Sequence, residues 1–385
     1  MEELLFEISR DLLETGLRGF PIGYCTTSHV DPQKGLFYVG KPVAELSLHS
    51  PEDVIFLLYY GKEGSVEERA QFFHSLKLRS CCSEEAINHI LKLPRSGHPM
   101  ELFPAAILIL GMFEGRKDYR EDCLNLIAKL PHLTATLINH HAGWGKTEEP
   151  REDLGYMENF THMLRVPNKD EDELTAVFKL FNVLHFDHGG GNLSTFVGKA
   201  VASGLEDMYG SIASAMCALA GPRHGRANQD CLEFVELVLK ELGPHATAVQ
   251  VEELIRHRLA SSQLVFGFGH AVLRVEDPRA TVQYDYVKKH YKDHPLVSTA
   301  LLLRDAGTRV LKENPKITSP YPNVDAISGT LLTAAGFPYP EYYTLLFGMA
   351  RSVGIAIQIV YERLEARGGK GVPIYRPKYL YKARN

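Results

Sequence analysis

Apolar positions along this chain recur mostly at helical spacing. Val54-Ile55-Phe56-Leu57-Leu58 follows Ser50-Pro51-Glu52-Asp53, which reads as a side-chain cap, a proline at the first helical position and first-turn acids. A helix is therefore predicted to open at that point. Glu173 to Leu184 alternates apolar and polar residues at helical spacing and ends at His185. Between Asn228 and Leu242, the side chains of Cys231, Phe234, Val235, Val238 and Leu242 share one stripe. The stretch from Glu341 to Ala366 is largely apolar, which predicts a helix buried on most sides. Strand signals are few: Leu36-Phe37-Tyr38-Val39 follows the turn-like Asp31-Pro32-Gln33-Lys34-Gly35 and predicts a short hairpin. Strands do not alternate with helices, which argues against a dinucleotide-binding βαβ sheet. No internal repeat or low-complexity tract is evident. The nearest approach to a linker is Arg367-Gly368-Gly369-Lys370-Gly371, ahead of a basic tail.

Composition narrows the class. The chain has 385 residues, enough for a large domain and a smaller one. Its 45% hydrophobic and 23% charged residues are ordinary for a soluble globular enzyme. A net charge of -5 gives no global attraction to nucleic acid or to an anionic membrane, so any anion site must be a local cluster. The six cysteines form no C-x-x-C pair, and no disulfide framework is suggested. The acidic start, Met1 to Glu7, lacks the character of a targeting peptide, and no membrane span is expected. The expectation is a cytoplasmic protein with reduced thiols.

Candidate chemistry lies in four motifs between His185 and Ala326. They are His185-Phe186-Asp187-His188-Gly189-Gly190-Gly191-Asn192, Gly221-Pro222-Arg223-His224-Gly225, Gly267-Phe268-Gly269-His270-Ala271 running on to Asp277-Pro278-Arg279, and Pro322-Asn323-Val324-Asp325-Ala326. His185 and His188, at i, i+3, could ligate a metal, bond to the backbone of the glycine turn, or recognise a carboxylate. No further ligand cluster stands at a familiar spacing, so no metal is expected. His224 precedes the Asn228 helix, whose dipole would lower its pKa and favour a neutral ring that donates to a developing enolate. The alternative is a capping or buried histidine. Arg274 and Arg279 offer planar forks for carboxylate or phosphate. Gly267 and Gly269 permit close backbone approach but are not a dinucleotide fingerprint, and the Walker spacing is absent. Asp325 alone would read as a helix N-cap. Phe347 and Arg351 share a helix face; an arginine there needs a counter-anion, either a substrate carboxylate or a buried acid.

Together and in this order, the motifs closely resemble the citrate synthase family, in particular the subgroup that includes the mitochondrial enzymes. The resemblance begins at Gly16-Leu17-Arg18-Gly19 and Val30-Asp31-Pro32, passes through His98-Pro99-Met100 and ends at Tyr375-Arg376-Pro377-Lys378. It implies an all-α homodimer with a cleft active site between a large domain, residues 1–224 with 331–385, and a small mobile one, residues 225–330. It implies condensation of acetyl-CoA with oxaloacetate and hydrolysis of citryl-CoA, with no cofactor beyond the substrates. By the same resemblance, His188, Arg279 and Arg351 would hold the oxaloacetate carboxylates, with Phe347 beside them and Arg376 arriving from the neighbouring subunit. His270 would donate to the oxaloacetate carbonyl. Asp325 would remove the acetyl-CoA methyl proton while His224 stabilises the enolate. Arg274 would meet a CoA phosphate, and the backbone near Leu264 and Gly267 the adenine.

Four places depart from the family pattern. Gly189 replaces a glutamate, Phe268 a tyrosine and Ile327 a histidine, and Asn139-His140-His141-Ala142-Gly143-Trp144 lacks an arginine that helps bind CoA in relatives. The short stretch before Gly16 implies a dimer without the NADH site of the larger bacterial subgroup. Rival readings are 2-methylcitrate synthase, a citryl-CoA lyase, and a catalytically silent CoA-binding or scaffold protein.

Overall fold

The computed structural model describes residues 7–384; the acidic start read at residues 1–6 lies outside the described residues. After a single 3₁₀ turn at Arg10–Leu12 comes a three-stranded antiparallel sheet: β1 (Ser28–Asp31), β2 (Gly35–Tyr38) and β3 (Lys41–Pro42). All other regular elements among the described residues are helical. They are α1 (Val43–Leu46), α2 (Pro51–Tyr60), α3 (Val66–Arg79), α4 (Glu84–Ile90), α5 (Pro99–Glu114), α6 (Tyr119–Ala142), α7 (Tyr156–Met163) and α8 (Glu171–His185). Then follow α9 (Leu193–Ser203), α10 (Met208–Leu219), α11 (Ala227–Leu242), α12 (Ala248–Ala260), α13 (Pro278–His290), α14 (Pro295–Lys312), α15 (Asp325–Ala334) and α16 (Tyr343–Val360). The all-α expectation holds.

Local chemistry explains the elements that matter. Ser50 Oγ accepts the Asp53 N–H at the start of α2, and Gly61 closes that helix in the left-handed region at φ 66°. In the hairpin, Ser28 pairs with Tyr38 and Asp31 with Gly35. The Asp31 carboxylate takes the N–H groups of Gln33 and Lys34, which shapes the turn. Gly35 has φ +99°, and a Cβ there would lie 2.4 Å from the Pro278 ring. The hairpin thus seats directly on the start of α13. The Arg274 N–H donating to the Pro32 carbonyl at 2.8 Å adds a second tie.

Helix α16 is the spine. Every residue from Tyr343 to Val360 is buried, and the apolar stretch Pro340–Glu365, long enough to cross a membrane, is enclosed by protein. It packs against α6, α8, α9 and α10. Helices α11 to α15 pack chiefly on one another and meet the rest through α11 on α16, α15 on α8, and α13 on α1 and β2. One hydrophobic core runs through both groups.

The glycine-rich stretch after α16 is a tight reversal and not a linker. Arg367, Gly368, Gly369 and Gly371 all have positive φ, and the Val372 N–H donates back to the Glu362 carbonyl at 2.9 Å. The tail then docks on α9, the Tyr375 N–H donating to Ser203 Oγ at 3.1 Å.

Candidate active site

The first wall of the site is the end of α8. Buried His185 stacks on Phe181, and its Nδ1 meets the Phe181 carbonyl at 2.7 Å. Burial, with Arg279 nearby, pushes its pKa down to about 3. The ring bonds to its own helix and not to the backbone of the glycine turn. Asp187 turns inward beneath the chain. Its carboxylate accepts from Ser28 Oγ at 2.8 Å, Gln358 Nε2 at 2.8 Å, the His188 N–H at 2.9 Å and Thr27 Oγ1. His188 is thereby turned the other way, and its buried Nε2 has no protein partner. Burial, then Arg279 and Arg351, hold it well below the usual histidine range, so the ring is neutral. The glycines let this turn close: a Cβ on Gly190 would lie 2.8 Å from Lys199 Nζ.

Helix α9 supplies the next histidine's partner. Asn192 caps the helix through the Thr195 N–H. The Ser194 N–H donates to His224 Nε2 at 3.2 Å, with Ser194 Oγ 2.8 Å away. A backbone N–H can only donate, so Nε2 is an acceptor and the neutral ring carries its proton on Nδ1. The His224 pKa is pushed down to about 4 by burial and then by Arg351. The neutral ring foreseen from the sequence is present, but its cause differs. Burial dominates, and the helix start that engages the ring belongs to α9, not to the helix that follows His224.

The second wall is two chain segments threaded together. His270 Nδ1 accepts the N–H groups of Val272 and Leu273, both at 3.0 Å. Nε2 therefore bears the proton, and burial holds the pKa down at about 4. Gly267, at φ +84°, rests against α15, where a Cβ would lie 2.9 Å from Ala326. Asp277 caps α13 and grips Arg279 with both oxygens, at 3.1 and 2.7 Å. Asp325 opens α15 but is not its N-cap. Asn323 Oδ1 takes the Asp325 N–H at 3.0 Å, and no hydrogen bond from the described residues engages the Asp325 carboxylate. Burial pushes its pKa up to about 6, while Arg279 and Arg351 pull the other way.

Arg351 projects from α16, fully buried. Its Nε donates to the His185 carbonyl at 3.1 Å, and its guanidinium lies 4.8 Å from the centre of the Phe347 ring. Among the described residues no carboxylate lies within ion-pair distance of it. Burial lowers its pKa to about 10. Such a group is costly until an anion joins it. Ring contacts bind the cluster: His188 to His270 at 5.3 Å and Phe347 to His224 at 6.4 Å.

Seven of the expected site residues thus form one cluster, with Arg279, Phe347 and Arg351 buried and His188, His224, His270 and Asp325 partly buried. Three others stand apart. Arg376 is exposed on the tail. Leu264 is 71% exposed, and its carbonyl is taken by Arg258 at 3.0 Å. Arg274 bends back onto the carbonyls of Val272 and Leu273, at 2.9 and 2.8 Å. Sequence reasoning passed over Ser194, Asn323, Gln358 and the Thr27–Ser28 pair. The last two lie about 160 residues from Asp187 in the chain, so no local signal could have joined them. Of the departures, Phe268 is wedged against Gly307, Ile327 lies in the core, and Gly189 sits at φ 71°. Among the described residues no group of three His, Cys, Asp or Glu stands ready for a metal.

An aspartate with no bonded partner among the described residues, two imidazoles with oriented N–H groups and a guanidinium without a carboxylate in ion-pair distance thus come together in one place. The family model for the citrate synthase C-terminal domain matches residues 16–378. Mitochondrial citrate synthase 4 of Arabidopsis thaliana is 34% identical, covering 97% of this chain and 82% of its own. The Thermotoga maritima citrate synthase structure superposes with a TM-score of 0.82 at 27% identity, over 97% of this chain and 96% of that one. A Thermoplasma acidophilum citrate synthase, solved with carboxymethyl coenzyme A and oxaloacetate, shares the fold at TM-score 0.80 and 24% identity, over 96% of this chain and 97% of that one. The chain belongs to the citrate synthase family. It is an enzyme of the acyltransferase type that this family defines. Relatives named mitochondrial lend no support to the cytoplasmic expectation.

Proposed function

We propose that this enzyme condenses acetyl-CoA with oxaloacetate and hydrolyses the resulting citryl-CoA to citrate and CoA. The observation that carries the reading is Arg351, a buried guanidinium without a carboxylate partner among the described residues, facing neutral histidines and an uncapped aspartate. A dicarboxylate substrate supplies the missing charge.

Arg351, His188 and Arg279 hold the oxaloacetate carboxylates, with Phe347 packed beside them. Arg279 shares its guanidinium with Asp277, so it binds with less free charge than Arg351. The His270 Nε2–H donates to the oxaloacetate carbonyl and makes its carbon electrophilic. The methyl group of a thioester is a very weak acid, so base and donor must act together. Asp325 takes the methyl proton while the His224 Nδ1–H stabilises the enolate oxygen. The enol carbon attacks the polarised carbonyl, forming the new carbon–carbon bond, and water then cleaves the thioester. Both imidazoles act as neutral donors, consistent with pKa values near 4.

The CoA moiety lies along the backbone near Leu264 and Gly267. Arg274 reaches a phosphate by releasing its own loop carbonyls. Residues 225–330 form the small, mobile domain and the remainder the large one, supported by the way α11 to α15 pack chiefly on each other. Closure excludes water until condensation is complete. The chain acts as a homodimer in which the exposed Arg376 completes the neighbour's site. Six free thiols fit a reducing compartment, proposed to be the cytoplasm; cell fractionation that finds the chain in the mitochondrial matrix would overturn that.

Release of free thiol from acetyl-CoA, measured with and without oxaloacetate, tests the activity. Strict dependence on oxaloacetate supports it. A preference for propionyl-CoA would transfer the same mechanism to 2-methylcitrate formation, and no release at all would remove the catalytic reading.

A further inference from the structure

We infer that Asn323 is a positioning residue that couples the carbonyl donor to the base, an inference that rests on the proposed condensation. Its side chain makes two bonds in opposite directions. Oδ1 accepts the Asp325 N–H at 3.0 Å, and Nδ2 donates to the Gly269 carbonyl, 54 residues away, at 3.0 Å. The first bond alone would be an ordinary helix-start turn. The second is not needed for any helix. It fixes the peptide group directly ahead of His270.

That peptide group needs fixing. Gly269 has φ +88°, and a Cβ there would find only one neighbour, 3.8 Å away, so packing does not hold it. The His270 ring cannot adjust independently, because its Nδ1 is pinned by the N–H groups of Val272 and Leu273 in its own loop. Where the Gly269–His270 backbone goes, the Nε2–H follows. Residues 321–323 clamp this backbone from both sides. The Gly269 N–H donates to the Tyr321 carbonyl at 3.1 Å, while the Asn323 N–H donates to the Gly267 carbonyl at 2.9 Å. The Asp277 N–H donates to the Pro322 carbonyl at 3.1 Å, bringing the Asp277–Arg279 pair into the same frame. Asn323 is the one residue of this segment whose side chain touches both the His270 loop and the Asp325 backbone. It holds the electrophile's donor and the base in a fixed mutual geometry.

The test compares wild type, Asn323→Ala and Asn323→Ser. Serine keeps an acceptor for the Asp325 N–H but cannot reach Gly269, and it serves if the alanine variant fails to fold. For both variants the expected result is a fall in kcat of about 100-fold, the cost of a misplaced donor. The KM for oxaloacetate should change by no more than about threefold, because Arg351, His188 and Arg279 are untouched. In parallel, the infrared carbonyl stretch of bound oxaloacetate should return toward its free value. A purely structural role would lower the melting temperature and leave that stretch where it is in wild type. Wild-type kcat, or an unshifted stretch in a folded variant, overturns the inference and leaves the condensation standing. No oxaloacetate-dependent thiol release from wild type removes the parent reading and this inference with it.

Discussion

Two aspartates, one beneath the His188 turn and one at the start of α15, show how surroundings decide what a carboxylate does. Asp187 lies under the His188 turn and is met by two hydroxyls, a side-chain amide and a backbone N–H. Asp325 lies at the start of α15 with nothing from the described residues bonded to its carboxylate, and burial raises its pKa to about 6. The first is saturated and can only be structural. The second keeps its lone pairs free and binds a proton more strongly than usual. Donor supply, not burial, separates the scaffold carboxylate from the proposed base.

The strongest way to break this comparison is Asp325→Ala. Thiol release should fall by about 10³-fold or more, with the melting temperature unchanged or slightly raised, because a buried charge without bonded partners is removed. A variant that keeps near-wild-type turnover would show that another group is the base. Asp187→Ala should do the reverse. It strands four donors, so chemical denaturation should show a loss of about 2–4 kcal/mol, with activity falling only as far as folding does. Stability within experimental error of wild type would mean the network is dispensable.

Acidity sharpens the contrast. With its pKa near 6, Asp325 is ionised at pH 7 and protonated below pH 6, so kcat/KM should fall about tenfold for each unit below pH 6. The sign for stability is opposite to that of a salt-bridged acid. A folded-state pKa above the unfolded value means the folded protein binds this proton more tightly. Asp325 thus costs stability above its folded pKa and costs less as the pH falls through it. A pH profile flat down to pH 4.5 would contradict the assignment. The smallest effect is expected at Thr27→Val, which removes one of four donors to Asp187 and should cost about 1 kcal/mol in denaturant titration with kcat unchanged.

Much of the fold was legible because it depends on local patterns. The cap at Ser50, the stripe on α11 and the largely apolar α16 are properties of neighbouring residues, and they formed as read. So did the hairpin, whose turn carries its own Asp31 acceptor. The reading failed where an element depends on distant partners. Arg367 to Gly371 looked like a linker but reverses the chain, because Glu362 and Ser203 wait to receive it. At Asp325 the cap position falls on Val324, and the Asn323 side chain accepts the Asp325 N–H, a pairing that the residue order alone did not announce.

By itself, the sequence determined the helical class, the position of several helices and the set of polar side chains in its motifs, since spacing and residue type are local and additive. Only the tertiary structure decided which of those side chains is active and in what protonation state. The tautomers of His224 and His270 depend on which backbone N–H groups meet each ring, and those come from α9 in one case and from the histidine's own loop in the other. The free charge on Arg351 depends on no carboxylate among the described residues having folded within ion-pair distance of it. Desolvation and donor supply are sums over everything that packs around a group, and no segment of chain carries them alone.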